Sequence, residues 1–436
     1  MPNRQEHELQ TVGVGILGSG TVGGTLVRRL LEEPDEIAQK AGLRLEVRRI
    51  AVRSLKKTRP YTIPAGLLTD RPEEVIDDPQ VQLVVEVMGG LDPAGELVLR
   101  ALDAGKPVVT ANKELVAARG PDLVGLAEER AVSLLFEAAV GGGIPIIRPL
   151  SESLAGERVH RVMGIVNGTT NYILTKMLEE GADYSDVLEE AQLLGFAEAD
   201  PTADVSGADA AAKAAILASL AFGTWVGGDS VFHEGIEDLH PADFRFAADL
   251  GYVPKLLAIA EDTEAGVLAR VHPTLVPDDH PLASVRGANN AIFLEGPALG
   301  ELLFAGPGAG GEPTATAVLG DVIVAARELL AHAQVAPRIR FAPGSVLAFE
   351  EAITKWYLRL EVEDAPGVLA SIASAFGEHA VSIASVWQDG RGDEATLLIV
   401  THDAREGDLA KARGALDGLD AVRQVASVIR VQSDAP

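Results

Sequence analysis

The segment from Gly195 to Ala218 combines several carboxylates with a single lysine, and it runs directly into an apolar stretch of predicted helix. A dehydrogenase that acts on an amino-acid-like substrate needs this combination of groups. Carboxylates hold the substrate ammonium, and a lysine moves the proton of the substrate hydroxyl. The segment therefore predicts a site for such chemistry, and its candidate residues are Glu198, Asp200, Asp204, Asp209 and Lys213.

The pairing of Asp209 with Lys213 also has a purely structural interpretation. The two residues are four positions apart on a helix predicted over 206–222, and that spacing commonly gives a solvated ion pair worth about 0.3–0.5 kcal/mol. Two features favour chemistry instead. The helix is rich in alanine, leucine and isoleucine around Lys213, which predicts partial burial, and a nucleotide-binding motif lies upstream.

Composition excludes several classes of function. The 436 residues are enough for two to four domains, and 47% hydrophobic and 23% charged residues are typical of a soluble globular protein. A net charge of −27 argues against nucleic acid and anionic membrane surfaces as partners. Because the chain has no cysteine, thiolate zinc sites and dehydrogenases that pass through a thioester are excluded. The chain could still transfer hydride directly between an alcohol and a carbonyl.

Signals for export or membrane insertion are not evident in the sequence. The first ten residues are polar and lack the basic-then-apolar pattern of a signal peptide. The longest apolar helical run, Ala214–Phe222, is far too short to span a bilayer. We therefore expect a cytoplasmic protein.

The order of predicted elements indicates three domains of the α/β type. Over 1–140, buried strands alternate with helices, which predicts a Rossmann-type doubly wound parallel sheet. A hinge rich in glycine and proline then opens an α+β domain, 141–313, and the apolar helix 314–335 is expected to pack back onto the first domain. A proline-rich linker, 336–350, precedes residues 351–436, where the order βαββαβ predicts a ferredoxin-like module.

A glycine-rich motif predicts the cofactor. Gly18-Ser-Gly20-Thr21-Val22-Gly23 lies between a strand and a helix, and its glycines allow a tight turn and let the backbone approach a pyrophosphate at the helix N-terminus. The next strand would normally end in an acid that binds the ribose 2′-hydroxyl of NAD, but here Arg53 follows it, with two lysines nearby. An arginine suits a 2′-phosphate, so the sequence predicts NADP in preference to NAD.

Three further clusters lie where ligands bind or where helices begin. Thr110 and Lys113 follow the fourth strand, at whose carboxyl end ligands bind in open α/β sheets. Lys113 could reach a phosphate, the nicotinamide ribose or a substrate carboxylate, or could simply begin a helix. Residues 131–140 predict a fifth strand that runs into a glycine-rich turn, either a hinge, which is favoured, or a ring of carbonyls around a monovalent cation. The segment Asn167–Asn171 suits helix capping as much as substrate binding.

These motifs together resemble the homoserine dehydrogenase family in its form with a C-terminal ACT domain. The matching stretches are specific, stand in the family's order and span residues 12 to about 330, and the tail around Asp364-Ala-Pro-Gly367 resembles an ACT module. One departure is Ala305, where the family commonly has an aromatic residue. The matching stretches are GSGTVG, VVTANKELVA, EAAVGGGIPIIRPL, GIVNGTTNYIL, GFAEADPTADVSGADAAAK and GPGAGGEPTATAV.

The resemblance implies a reaction and roles for individual residues. The family interconverts L-homoserine and L-aspartate 4-semialdehyde with NAD or NADP by direct hydride transfer, which serves threonine, methionine and isoleucine biosynthesis. Lys213 matches the lysine that donates the proton when the aldehyde is reduced, and Lys113 matches a lysine at the nicotinamide end that also approaches the substrate. Glu198 matches the residue that binds the substrate amino group, and Asp204 and Asp209 match further substrate-site carboxylates.

A monovalent cation and an effector are also implied. In the family a sodium ion, for which potassium could substitute, is surrounded mostly by backbone oxygens, and this favours a cation over a bare hinge in the glycine-rich turn. We expect the middle domain to build a homodimer or homotetramer, and the ACT module to sense an amino acid, most simply L-threonine, through the loop Asp364–Leu369. The residues that match the cation ring are Glu137, Val140, Gly142 and Ile144.

The residues alone leave three alternatives to this interpretation. The chain could be a non-catalytic regulator that binds a dinucleotide and an amino acid, although the presence of Lys213 and Glu198 favours an enzyme. It could also be another amino-acid dehydrogenase on the same scaffold. The ACT module, finally, could serve dimerisation alone without a ligand.

Overall fold

A computed structural model describes residues 9–64, 66–332, 339–390 and 395–432. These residues divide into two compact units. The first unit holds the described residues up to Gly156 together with those of Ser219–Trp225 and Gly306–Ala342, and the second holds the rest. Within the described part of the chain, no helix is both long and apolar enough to cross a membrane.

Strands and helices alternate through the first third of the chain, as the pattern of apolar runs predicts. The elements in chain order are β1 (Thr11–Leu17), α1 (Thr21–Glu32), α2 (Pro34–Ala41), β2 (Arg44–Ala51), β3 (Leu68–Thr69), α3 (Glu73–Asp77), β4 (Leu83–Glu86), α4 (Ala94–Asp103), β5 (Val108–Thr110), α5 (Lys113–Glu129) and β6 (Leu134–Leu135).

The middle of the chain changes from alternation to a helical run followed by long antiparallel strands. Its elements are β7 (Arg161–Ile165), α6 (Gly168–Glu180), α7 (Tyr184–Leu193), α8 (Thr202–Val205), α9 (Ala208–Phe222), β8 (Phe232–His233), α10 (Pro241–Asp249), β9 (Tyr252–Thr263), β10 (Gly266–Pro277), β11 (Asn289–Gly296), β12 (Gly300–Pro307) and α11 (Gly311–Leu330).

The tail has the predicted order βαββαβ, with one added two-residue strand, Ala404–Arg405. The elements are β13 (Ile353–Val362), α12 (Val368–Glu378), β14 (Ile383–Asp389), β15 (Thr396–Thr401), β16 (Ala404–Arg405), α13 (Glu406–Asp417) and β17 (Val422–Val431). The antiparallel sheet runs β17-β13-β15-β14, which is the ferredoxin-like arrangement and confirms the predicted fold of this module.

The first unit is built on a six-stranded parallel sheet in the order β3-β2-β1-β4-β5-β6. This confirms the predicted Rossmann-type fold, whose central strands β1 and β4 are mostly apolar because helices cover both faces of the sheet. The long helix α11 belongs to the same core. Its residues Ala315, Val318 and Val322 are fully buried in one cluster with Val14 and Leu26 of β1 and α1.

The predicted fifth strand over 131–140 is much shorter than the sequence suggests. Only Leu134–Leu135 pairs with β5, and a 3₁₀ turn, Glu137–Ala139, follows at once. The reason is the Glu137 carboxylate, which accepts hydrogen bonds from the backbone amides of Ile146 and Ile147 at 2.6 and 2.8 Å. The chain turns around this buried carboxylate instead of continuing as a strand.

One extended sheet joins the middle of the chain to the tail within the second unit. Its strand order is β12-β11-β7-β9-β10-β17-β13-β15-β14, so the last strand of the tail lies beside β10. The pairing is parallel and places Thr274 opposite Arg430 and Leu275 opposite Val431. A buried ion pair reinforces the junction, since the fully buried Asp243 of α10 accepts a 2.7 Å hydrogen bond from Arg359 of β13.

Candidate active site

The glycine-rich turn after β1 has the geometry that a dinucleotide requires. Gly18 has a φ of +105°, and a Cβ atom there would lie 2.8 Å from the Val87 carbonyl oxygen. A Cβ atom at Gly23 would lie 2.3 Å from the Gly18 carbonyl oxygen, so this glycine lets α1 pack against the turn. Gly20, in contrast, faces open space, and helix α1 begins at the next residue, Thr21, without a side-chain cap. Its first amides are therefore available to an anion.

A cavity of 530 Å³ opens beside this turn within the first unit. Gly18 and Gly20 line it on one side, and the loop after β2 contributes Arg53, Lys57 and Arg59 on the other. The predicted basic residue Arg53 is therefore in place, and Arg59 is a second arginine that the sequence analysis did not single out. Three cations on one loop suit a phosphate group more than a bare ribose hydroxyl.

Asp70, which directly follows β3, lines the same cavity. The acid that the sequence lacks at the end of β2 is thus supplied one strand further along. Its carboxylate is a hydrogen-bond acceptor that suits a ribose hydroxyl. Sequence reasoning missed it because the loop between the two strands hides their adjacency in the sheet.

Glu86, the last residue of β4, is a second site residue that sequence analysis missed. It is fully buried, and its carboxylate accepts hydrogen bonds from the amides of Met88 and Gly89 at 2.7 and 3.1 Å and from the Thr110 hydroxyl at 2.5 Å. The carboxylate therefore fixes the loop at the carboxyl ends of β4 and β5. An acidic residue inside the apolar run VVEV was the available signal.

The start of α5 is fixed by the neighbouring asparagine. The Asn112 side chain accepts a hydrogen bond from the Leu115 amide at 3.1 Å and donates one to the Gly90 carbonyl at 2.6 Å. Lys113 is the first residue of the helix and is half-buried. It thus stands at the carboxyl edge of the parallel sheet, next to Thr110, where ligands of such sheets bind.

Lys213 lies in a buried polar cluster rather than on a solvated helix face. Its ammonium donates hydrogen bonds to Asp209 Oδ2 at 2.6 Å and to the Val166 carbonyl at 2.8 Å. The two side chains are 12% and 7% exposed, so the interpretation as a surface ion pair is wrong. Within the described part of the chain, two of the three ammonium N–H groups are used in this way.

Asn167 ties the cluster together. Its side-chain carbonyl caps helix α6 by accepting from the Thr170 amide at 2.9 Å, while its amide donates to Asp204 at 2.7 Å and to Asp209 at 2.9 Å. Of the two alternatives that the sequence left open, capping is observed, and the same side chain also positions the carboxylates of Asp204 and Asp209. Two carboxylates can lie close together here because the Asn167 amide donates to both, while Lys213 donates to Asp209 and the Thr169 hydroxyl donates to Asp204.

Asn171, at the other end of the segment Asn167–Asn171, is hydrogen-bonded to a buried lysine. Asn171 donates to the carbonyls of Gly287 and Asn289 at 2.9 and 3.1 Å, and its own carbonyl accepts from Lys255 at 3.0 Å. Lys255 is 2% exposed, and burial, with a smaller effect of Arg286, lowers its pKa to about 8. The first turn of α6 is thereby held at both ends.

Glu198 is placed differently from the other predicted carboxylates. Its side chain is exposed on the loop between α7 and α8, and its backbone carbonyl accepts from Gln192 at 3.1 Å. No hydrogen bond joins its carboxylate to the Lys213 cluster among the described residues. The structure therefore brings together Asp204, Asp209 and Lys213, with Glu198 on the adjacent loop.

The predicted cation ring forms a buried turn in the first unit. Gly142 has a φ of +56°, and a Cβ atom there would lie 2.3 Å from the Gly308 carbonyl oxygen. Both oxygens of the Glu137 carboxylate are engaged by backbone amides and by Arg148. The Glu137 carboxylate therefore shapes the turn, and backbone carbonyls are the hard oxygen donors that remain for a cation.

Comparison with known proteins gives the same assignment along the whole chain. The family model for homoserine dehydrogenase matches residues 145–323. The model for its NAD-binding domain matches residues 18–137, and the model for the ACT domain matches residues 356–421. A homoserine dehydrogenase from Corynebacterium glutamicum is 49% identical over 97% of this chain and 96% of its own. The chain belongs to the homoserine dehydrogenase family. It is accordingly an NAD(P)-dependent oxidoreductase, as the sequence predicted.

Solved structures of the homoserine dehydrogenase family agree with this fold. The enzyme from Thiobacillus denitrificans superposes with a TM-score of 0.91 at 42% identity, covering 97% of this chain and 99% of its own. A hyperthermophilic archaeal homoserine dehydrogenase, solved in complex with NADPH, superposes with a TM-score of 0.61 at 31% identity over 73% of this chain and 98% of its own. The resemblance first seen in the motifs is thus confirmed over the full length.

Proposed function

We propose that this chain interconverts L-homoserine and L-aspartate 4-semialdehyde with Lys213 as the group that moves the hydroxyl proton. The observation that carries this role is the position of its ammonium, held at 2.6 Å by Asp209 and at 2.8 Å by the Val166 carbonyl. A donor fixed by two acceptors needs little reorganisation when it protonates a developing alkoxide. In the reverse direction the same nitrogen removes the proton from the alcohol.

The substrate ammonium is assigned to the carboxylates around this lysine. Asp204 and Asp209 are positioned by the Asn167 amide, and Glu198 lies on the loop that precedes α8. A substrate cation would make charge-assisted hydrogen bonds with these carboxylates. Its binding would also hold the carbon that exchanges hydride in a fixed orientation relative to Lys213.

A nicotinamide cofactor supplies or accepts the hydride when it is bound. The residues assigned to it are Gly18, Gly20, Thr21, Val22 and Gly23 at the pyrophosphate, with Thr110 and Lys113 at the nicotinamide end. A preference for NADP over NAD is supported by three cations that line the cavity, Arg53, Lys57 and Arg59, while Asp70 on the same cavity suits a ribose hydroxyl.

A monovalent cation is assigned to the turn Glu137–Ile144, with sodium or potassium as the ion. Val140, Gly142 and Ile144 would contribute backbone oxygens, and all three are buried. The role of the ion would be structural, since it would brace the turn on which Glu137 already gathers the amides of residues 146–148.

The ACT module is assigned a regulatory role with an amino-acid effector, L-threonine. This fits an enzyme at the entry to threonine, methionine and isoleucine synthesis, where the concentration of an end product reflects how much synthesis the cell needs. The module's sheet is continuous with that of the middle domain through β10 and β17, which offers a direct path for such control. We expect the protein to act as a homodimer or homotetramer.

The test is an assay at 340 nm of NADPH and NADH oxidation with L-aspartate 4-semialdehyde, with sodium or potassium present. We expect oxidation of both cofactors, with a higher kcat/KM for NADPH, and inhibition by added L-threonine. If added threonine does not change the rate of oxidation, the proposed reaction stands and L-threonine is not the effector. Folded protein that oxidises neither cofactor would refute the proposed reaction.

A further inference from the structure

The loop that follows β2 in the first unit concentrates positive charge. Over residues 53–61 it has two lysines and two arginines and no acidic residue. Three of these cations, Arg53, Lys57 and Arg59, line the dinucleotide cavity. Like charges repel one another, and a charged loop tends to extend into solvent. A contact that holds the loop against the rest of the first unit is therefore needed to keep these cations beside the cavity.

Tyr61, at the end of this loop, provides such a contact. Its hydroxyl lies 2.8 Å from the hydroxyl of Ser19, the residue between the first two glycines of the glycine-rich turn. Among the described residues, no other hydrogen bond joins residues 53–61 to the rest of the first unit. Ser19 itself lines the dinucleotide cavity. The hydrogen bond thus connects the basic loop to the turn that is assigned to the pyrophosphate.

Packing fixes the ring that carries this hydroxyl. The Tyr61 side chain packs against the apolar cluster of β1, α1 and α11, and it passes close to Gly24 of α1. A Cβ atom at Gly24 would lie 3.0 Å from the tyrosine hydroxyl oxygen and 3.5 Å from the ring. The glycine therefore leaves the room that the tyrosine needs to lie against α1 and reach the turn.

Arg59 braces the loop that Tyr61 holds. Its guanidinium donates hydrogen bonds to the backbone carbonyls of Lys57 and Ser54 at 3.0 and 3.2 Å. Arg59 is two residues from Tyr61, so a displacement of the tyrosine would also move this guanidinium and the backbone that it gathers. The positions of Lys57 and Arg59 therefore depend on Tyr61, whereas Arg53 is also held by the adjacent end of β2.

We propose that Tyr61 is a positioning residue for the cofactor, which through its hydrogen bond to Ser19 holds the basic loop beside the site of a 2′-phosphate. The turn has support of its own, because the Gly18 amide donates to the Ala51 carbonyl at 3.0 Å. Loss of the tyrosine hydroxyl should therefore weaken the binding of NADPH more than that of NADH. This inference rests on the proposed preference for NADP, and it adds a residue that does not itself line the cavity.

Isothermal titration calorimetry on the full chain tests the proposal without turnover. The ligands are NADPH, NADH and adenosine 2′,5′-bisphosphate, which carries the 2′-phosphate but no nicotinamide. In Tyr61→Phe we expect Kd for NADPH and for the bisphosphate to rise about three- to tenfold, because the contribution of one hydrogen bond is lost. Kd for NADH should change less than about twofold.

Ser19→Ala removes the same hydrogen bond from the other side. Because Ser19 lines the cavity, this variant also removes any direct contact with the cofactor, and the double variant separates the two effects. In the Tyr61→Phe background, Ser19→Ala should raise Kd for NADPH by a smaller factor than in the wild type. The control is Tyr184→Phe, which should bind all three ligands as the wild type does. It removes a tyrosine hydroxyl of the second unit that has no hydrogen-bond partner among the described residues.

The outcomes distinguish this inference from the cofactor preference on which it rests. Thermal melting first confirms that each variant is folded. An unchanged Kd for NADPH in Tyr61→Phe, an equal rise for NADPH and NADH, or the same effect of Ser19→Ala in both backgrounds overturns the role of Tyr61, while tighter binding of NADPH by the wild type still supports the preference. A wild type that binds NADH as tightly as NADPH overturns the preference and the role of Tyr61 together.

Discussion

Lys213 is the residue on which the proposed chemistry depends most. Replacement by alanine removes the donor while Asn167 still bridges Asp204 and Asp209. Because general acid–base catalysis contributes roughly 10²–10⁴-fold, we expect kcat to fall at least about a hundredfold. The affinity for NADPH, measured by fluorescence titration, should change less than about twofold, since its proposed site lies on other residues.

A matched control for this variant is Lys176→Ala. Lys176 also pairs with a residue four positions away, Glu180 at 2.7 Å, but at the surface of α6. It should retain near wild-type kcat because exposed pairs of this kind contribute little. If Lys213→Ala were to turn over at the wild-type rate, the proton-transfer role would be untenable.

Arg53 should set the choice between NADP and NAD. Arg53→Asp exchanges a cation for a carboxylate on the loop that lines the dinucleotide cavity, which repels a 2′-phosphate and accepts a hydrogen bond from a 2′-hydroxyl. We expect the ratio of kcat/KM for NADPH to that for NADH to fall about tenfold or more. Leu55→Asp, on the same exposed loop but not lining the cavity, serves as the control, and an unchanged ratio in Arg53→Asp would count against the assignment.

Lys255 should make the stability of the protein depend on pH. Its pKa of about 8 in the folded chain is below the ordinary value of 10.5, so between these values the unfolded chain holds more protons on this residue. Stability from this source therefore rises with pH over that window. From pH 8 to 10.5, the free energy of unfolding of the wild type should rise by about 3 kcal/mol relative to that of Lys255→Met.

The pH range from 5 to 7 provides an internal control for that measurement. Lysine is protonated there in both the folded and the unfolded chain, so the difference between the two proteins should be flat. Urea unfolding at each pH gives the values. A difference that stays flat up to pH 10.5 would show that Lys255 keeps an ordinary pKa.

At the scale of elements, two glycines of one motif should respond to alanine in opposite ways. Gly20 faces open space with a φ of −80°, so Gly20→Ala should change stability by less than about 1 kcal/mol while its methyl group obstructs a pyrophosphate. We expect KM for NADPH to rise at least about tenfold. In Gly23→Ala the new Cβ atom would lie 2.3 Å from the Gly18 carbonyl oxygen, so the melting temperature should fall. Equal effects of the two changes would contradict this geometry.

The elements most accurately predicted from sequence are those with local signals. The helix predicted over 206–222 is observed as Ala208–Phe222, and the tail order follows from strand and helix periods within short windows. The junction of β10 with β17 was not predicted, because parallel pairing between distant segments leaves no local pattern. Glu86 and Asn167 were underestimated for the same reason: their partners are contributed by other elements.

At the scale of the whole molecule, the ACT module should not be removable. Deletion of 350–436 would leave Asp243, which is fully buried, without Arg359, and an unpaired buried charge costs about 3–5 kcal/mol. The loss approaches the total stability of many proteins, about 5–15 kcal/mol. We expect calorimetry to show no cooperative transition, or one lowered by about 10 °C or more.

The paired change Asp243→Leu with Arg359→Met in the full chain is the control for this deletion. It removes both charges, so little uncompensated charge is left, and the melting temperature should fall less than in the deletion. A truncated chain that melts at the wild-type temperature would show that the shared sheet contributes nothing to stability. This is also why point variants, rather than deletion, are the appropriate test of effector binding.

The pairing of β10 with β17 has a consequence during protein synthesis. The strand that lies beside Thr274 is β17, Val422–Val431, so the residues from 278 to 421 must still be made after β10 leaves the ribosome. Until then the edge of β10 at Thr274 and Leu275 presents unpaired amides and carbonyls, which invite association with other nascent chains. The middle domain therefore completes its sheet only after β17 has been made, and products that terminate before β17 carry an open strand edge that marks them for aggregation or degradation.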